Sequence, residues 1–232
     1  MQILAIETSE SVGSVAALAD DNVLVEHNLP LDKGSAKSLA PALKDLLRQV
    51  GWRAGDIQGV AVTTGPGSFT GLRVGVTTAK ALAYAVKADV AGVDTLEAVA
   101  AACPVEFDRL SVAVDAQRGQ VVFGVFRRGA DGWFSPSGPW QLADLDAWLA
   151  HLPAGIAVAG PVLRGLSHEL PKGVRVLDPR YWSPTAAAIG RLAARRFARG
   201  ERDDLWALAP RYYRRSAAEE RWERKQQQSM EG

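Results

Sequence analysis

Three apolar runs near the start of the chain, separated only by short polar turns, constrain the fold more than any other feature. Residues 3–7, 12–18 and 23–27 have the length and composition of strands. Asp20-Asp21-Asn22 is a turn too short to hold a crossover helix, so the three runs form an antiparallel meander. The period then changes. Leu39, Leu43, Leu46, Leu47 and Val50 share one helical face, and Gly51 is a stop. Pro41 requires that helix to begin late, with Ser38 as N-cap, or to kink. A strand over 57–63, a helix over 70–87, a short strand over 90–93 and a helix over 95–102 complete the order β-β-β-α-β-α-β-α. The fold class is α/β.

The second half opens as the first does. VAVDAQRGQVVFGVF (112–126) echoes LAIETSESVGSVAAL (4–18): an apolar strand ending in an acid, a polar turn with a glycine, and a second strand. The acids are Glu7 and Asp115. Two related lobes follow, residues 1–105 and a smaller 106–232, with Pro104 near the boundary. The second is expected to hold a Gly/Pro-rich loop over 129–139, a helix near 142–150, a strand over 156–159 and a helix over 184–199.

Composition narrows the function classes. With 232 residues and 47% hydrophobic content the chain can bury a sizeable core. MQILAIETS lacks a basic leader and a cleavage site and reads as a first strand, and the apolar runs are far shorter than a membrane span of roughly 20 residues. A cytoplasmic protein with no membrane partner is expected. The single Cys103 excludes an internal disulfide, and His27, His151 and His168 have no metal-ligand spacing, so no metal is expected. From residue 191 onward 11 Lys/Arg face 7 Asp/Glu, a local excess of basic charge that is either a solvated helix face or a weak contact to nucleic acid.

TTGPGSFTGLRVG (63–75) resembles a phosphate-binding loop, but two such readings fail on its residues. A P-loop needs Lys and Ser/Thr after its last glycine, and Leu72-Arg73 stand there. A dinucleotide fingerprint needs a third glycine where Thr70 stands. What remains is either a structural turn, with Ser68 or Thr70 capping the helix, or a helix N-terminus facing an anion. Along that helix Gly71, Gly75, Ala79 and Ala83 form a stripe of small residues flanked by Leu72 and Val76, while Arg73, Thr77, Lys80, Tyr84 and Lys87 form the one polar stripe. So apolar a helix must be covered on more than one side, by its own domain or by a second subunit. Glu7, Thr8 and Ser9, with Asp115 and Arg118 opposite, are candidates to face a phosphate or metal across a cleft; alternatively Thr8 and Ser9 only bond their own turn.

LAIETSESVGSVAAL, GPGSFTGLRVGVTTAKALA, GVDTLEAVA, VDAQRGQVVFGVF and the terminal APRYYRRSAAEERW, in this order, resemble the TsaB (YeaZ) family over most of the chain. The resemblance implies an actin/heat-shock-ATPase/sugar-kinase-like fold of two ribonuclease-H-like lobes, the second reduced. It implies a role in forming threonylcarbamoyladenosine in tRNA as the non-catalytic partner of the TsaD transferase, supporting the TsaE ATPase, and a homodimer when alone. It implies no cofactor for the isolated chain, ATP and magnesium at the level of the complex, and at most indirect or weak tRNA contact through the C-terminal arginines. The catalytic paralogue carries a His-x-x-x-His metal pair where this chain has KGSAKSLAPAL, without histidine, so no catalytic residue is expected. The expected docking surface is the small-residue stripe, Gly71, Leu72, Gly75, Val76, Ala79 and Ala83, with Leu39 and Leu43 of the preceding helix. The rival reading is a nucleotide hydrolase or transferase of the same fold using Glu7, Asp115 and the glycine loop.

Overall fold

The computed structural model describes residues 1–29, 34–104, 106–166 and 170–213. The expected meander forms as β1 (Gln2–Glu7), β2 (Ser14–Ala19) and β3 (Asn22–Asn28), joined in one sheet by β4 (Gly59–Gly65) and β5 (Asp89–Asp94) in the order β3-β2-β1-β4-β5. β1 pairs antiparallel with β2, Ile3 opposite Leu18, and parallel with β4, Ile3 opposite Gly59. β1, β2 and β4 are buried almost throughout because helices cover both faces of the sheet. The edge strand β3 instead alternates between half-buried and exposed.

Helices α1 (Gly34–Val50) and α2 (Phe69–Val86) cover one face, where Leu39, Leu43, Leu46, Val76 and Ala79 pack on Leu4, Ile6, Val60 and Val62. α1 begins earlier than expected, so Ser38 lies inside it rather than at its cap and Pro41 sits mid-helix. Pro41 is on the exposed side and removes one backbone bond, which the buried leucines of the following turns outweigh. Helix α3 (Thr95–Ala102) follows β5 directly, capped by Asp94.

The second sheet holds β6 (Arg109–Asp115), β7 (Gln120–Arg128), β8 (Phe134–Pro136), β9 (Gln141–Asp144), β10 (Ala157–Ala159) and β11 (Arg175–Val176). Its main path, β8-β7-β6-β10-β11, repeats the order β3-β2-β1-β4-β5, with β6 antiparallel to β7 and parallel to β10, and β9 is an extra strand beside β7. The echo between residues 4–18 and 112–126 therefore reflects a repeated topology. Two local readings differ. The 129–139 loop contains β8, and the helix expected from 142 starts later, as α4 (Leu145–Ala150), because residues 141–144 pair with β7 as β9.

The division at residue 105/106 also needs adjustment. Helix α5 (Ala186–Ala198) lies within the expected second lobe but packs on the first sheet, where Ile189, Ala193 and Phe197 cover Ile3, Ala5, Ala61 and Ala91. The sheet has a second apolar face to bury, and α5 is the helix that fits it: Gly190 lies directly on Leu18. The chain then stays on the first lobe, where Asp203 bridges to Val90 at the sheet edge and Leu208 joins the core. Among the described residues no helix is long and apolar enough to cross a membrane.

Candidate functional site

The glycine loop ends β4 and launches α2, and its glycines are used for close approach. At Gly65 φ is +120°, and a Cβ there would stand 2.6 Å from the Arg211 carbonyl oxygen. A Cβ on Gly67 would stand 2.5 Å from the Ser9 carbonyl oxygen, and one on Gly71 or Gly75 would overlap Thr8. The loop is thus clamped on the turn after β1. Ser68 N donates to Ser9 O (2.7 Å), Gly71 N to Ser68 Oγ (3.2 Å), and Thr8 Oγ1 to Gly71 O (2.8 Å). Of the two candidate caps, Ser68 is the one that caps α2.

Beneath the clamp lies Glu7, fully buried. Its Oε1 accepts from Ser9 N (2.6 Å), Ser9 Oγ (2.5 Å) and Thr63 Oγ1 (3.4 Å), while Oε2 has no partner. Burial pushes its carboxyl up to about 7 against the pull of the Ser9 bonds, and nearby Glu10 adds to the rise. Glu10 is itself raised by burial and by Asp115, and lowered by Arg164, whose Nη1 donates to it at 3.2 Å. Arg164 also donates to Ser183 Oγ. Asp115, exposed at the end of β6, accepts from Gln117 N (2.7 Å), and Arg118 is exposed in a left-handed turn at φ +55°.

Glu10 of the first lobe feels the charge of Asp115 in the second, but the candidate phosphate-facing set needs correction. Thr8 and Ser9 are buried, and their hydroxyls are spent on Gly71 and Glu7. Glu7 faces those partners under the loop. The junction gathers carboxylates, which repel a phosphate. Glu10 and Arg164 escaped the sequence reading. Glu10, three residues past Glu7, carried a weak signal, and Arg164 carried one only in Gly160-Pro161, which repeats Gly65-Pro66 after the equivalent strand.

The expected docking residues are corrected as well. Gly71, Leu72, Gly75, Val76, Ala79 and Ala83 all face inward, as do Leu39 and Leu43; they are the contact between the helices and their own sheet. The small side chains admit Thr8 and the sheet, not a second subunit. The opposite face of α2 is the exposed one, and it carries aromatic side chains. Arg73 lies over the Phe69 ring, 3.8 Å from its centroid. Tyr212 packs on the same ring at 4.8 Å and accepts from Arg73 Nε at 3.1 Å. Further along, Tyr84, 64% exposed, meets Trp206, 72% exposed, edge-on at 5.6 Å. Lys80 Nζ anchors the segment carrying Trp206 by donating to the carbonyls of Trp206 (2.9 Å) and Leu208 (3.0 Å). In the sequence, Trp206 stood only as an aromatic residue in a polar segment, while Tyr212 lay in the terminal motif APRYYRRSAAEERW without any sign of its contact with α2.

Late arginines within the described residues largely pair with carboxylates: Arg195 with Asp131, Arg196 with Asp203, Arg202 with Asp89. Those from Arg214 onward lie outside the described residues, as does His168. His27 meets Gln49 Oε1 (2.7 Å) and His151 meets Ala147 O (2.6 Å). Burial pushes the Cys103 thiol up to about 12, marking it as inert. Among the described residues no group of three or more His, Cys, Asp or Glu is placed to hold a metal ion.

This architecture has close counterparts. A family model described as "TsaD: tRNA N6-adenosine threonylcarbamoyltransferase" matches residues 31–220. The chain is 34% identical to the tRNA threonylcarbamoyladenosine biosynthesis protein TsaB of Bacillus subtilis (strain 168), over 96% of this chain and 98% of that one. It is 33% identical to the TsaB of Escherichia coli (strain K12), over 57% of this chain and 58% of that one. The solved structure of YeaZ from Pseudomonas aeruginosa superposes with a TM-score of 0.76 at 25% identity, covering 91% of this chain and 99% of that one. The match in sequence runs nearly end to end and the fold agrees. The chain belongs to the TsaB (YeaZ) family.

Proposed function

We propose that this chain acts in the formation of threonylcarbamoyladenosine in tRNA as the non-catalytic partner of a TsaD-type transferase. In this reading it scaffolds the transferase and supports the TsaE ATPase, and ATP and magnesium act at the level of the assembly. The observation that carries it is the clamp of the glycine loop on Thr8 and Ser9. The backbone and hydroxyl donors with which an enzyme of this fold would hold a phosphate are turned on one another, above a buried carboxylate. The names of the relatives point the same way, since they describe biosynthesis proteins. The outer face of α2 supplies the docking surface, with Phe69, Arg73, Tyr84 and Trp206 as the aromatic and guanidinium groups that carry binding energy at interfaces.

Reconstitution tests the reading. Transferase, ATPase and threonylcarbamoyl-adenylate synthase should modify tRNA efficiently only when this chain is added, and calorimetry should detect no binding of ATP and magnesium to the chain alone. Tight nucleotide binding or hydrolysis by the isolated chain would favour the rival enzyme reading.

A further inference from the structure

The C-terminal strap, residues 203–213, touches both the outer face of α2 and the junction of the lobes. On one side it completes the outer face of α2: Trp206 meets Tyr84, and Tyr212 packs on Phe69 and binds Arg73. On the other side, the next residue reaches the junction of the lobes. Tyr213 Oη donates to Asp94 Oδ2 (2.9 Å), and the same oxygen accepts from Trp140 Nε1 of the second lobe (2.9 Å). Asp94 Oδ1 caps α3 through Leu96 N (2.9 Å). Trp140 is held in turn by Phe126, a buried residue of β7, with ring centroids 5.3 Å apart.

The strap combines polar pins with spaced apolar anchors, Leu205 and Leu208 on the first core and Tyr213 on the second. Asp203 N donates to Val90 O and Arg211 N to Thr64 O (2.7 Å), while Lys80 grips the two carbonyls between. Under it lies a cavity of about 140 Å³, lined by Thr64, Gly92, Leu208 and Arg211 among others. Beside it a cleft of about 440 Å³ runs between Asp94, Glu97, Phe134 and Arg211. Along this side the strap lacks the close-packed neighbours of a core element.

We propose that the strap couples the two lobes to the docking face: the second lobe, through Trp140 and Asp94, fixes Tyr213 and thereby the position of Tyr212 and Trp206 on α2. A change in how the lobes meet is transmitted to the partner surface over two adjacent residues, and partner binding biases the lobes in return by the same factor. The docking half of this inference rests on the proposed function; the coupling itself does not.

Trp140→Phe and Tyr213→Phe test it, because each removes a hydrogen bond to Asp94 while leaving an aromatic side chain in place. Amide hydrogen exchange in the isolated full chain reads the coupling, and titration with the TsaD-type transferase reads the docking. In both variants, exchange over residues 204–212, including the Arg211 amide bonded to Thr64, should quicken about fivefold or more while β1 and β4 stay protected. Affinity should fall about five- to twentyfold although Trp140 lies in the other lobe. Exchange over 204–212 within twofold of wild type overturns the proposal, as does faster exchange with unchanged affinity. Faster exchange in a chain whose wild type does not bind the transferase upholds the coupling and overturns the partner reading instead.

Discussion

The two lobes place a Gly-Pro pair at the same point of the same strand order and build different things from it. After β4, Gly65-Pro66 opens a loop that launches the 18-residue helix α2; after β10, Gly160-Pro161 opens a 3-10 turn of five residues. Gly65 and Gly160 have nearly the same φ, +120° and +125°, and in each a Cβ would run into a neighbouring backbone carbonyl, that of Arg211 or of Ala113. A feature shared by both lobes, one of them with almost no helix behind it, belongs to the fold. The loop resembles phosphate chemistry because a strand that must turn sharply against a neighbouring backbone needs glycine for the same reason a phosphate cradle does.

The largest effects should come from breaking that equivalence. Gly65→Ala and Gly160→Ala each force a Cβ into backbone at positive φ, and each should lower the unfolding free energy by more than about 3 kcal/mol in urea titrations. A tolerated substitution in one lobe only would mean the two turns are not equivalent. Gly75→Arg belongs with them: overlap with Thr8 should prevent folding outright.

The acids that end β1 and β6 differ more sharply. Glu7 is buried with one oxygen unpartnered, Asp115 exposed. Because the Glu7 carboxyl is raised from 4.5 to about 7 on folding, the folded chain takes up a proton. Its stability contribution is complete below pH 4.5 and is lost as pH rises through 7, by about 3 kcal/mol if the whole shift is realised. Glu7→Gln should remove this slope and stabilise the chain at pH 8, while Asp115→Asn should change stability by less than about 0.5 kcal/mol. Thermal unfolding of both variants between pH 5 and 8 checks the pair; an unchanged slope in Glu7→Gln would place the titration elsewhere. A small effect on stability is also expected at the strap, where Trp206→Ala removes a ring that is mostly in water and should cost less than about 1 kcal/mol.

Much of the fold was legible because its signals are local. The meander of β1 to β3, the alternation that follows and the echo at Glu7 and Asp115 all rest on patterns a few residues long. The site was harder, since whether a face is core or surface depends on what arrives from elsewhere in the chain. The stripe Gly71, Gly75, Ala79, Ala83 does mark close approach, but the approaching partners are its own sheet and Thr8, which lies more than sixty residues back. Likewise α5 joins the first sheet across the whole second lobe, and Tyr212 reaches Phe69 from the far end of the described chain. Nothing in the local sequence of either element says so.

The most direct test of the account sets the two faces of α2 against each other in binding to the TsaD-type transferase. Tyr84→Glu puts a charge on the outer face, where the side chain is 64% exposed, and Val76→Ala trims the inner one. The account predicts that Tyr84→Glu unfolds at the wild-type temperature and binds at least about 30-fold more weakly. Val76→Ala should lose about 1–3 kcal/mol of stability and keep its affinity. Wild-type affinity in Tyr84→Glu, with binding lost in a folded Val76→Ala, would contradict the account.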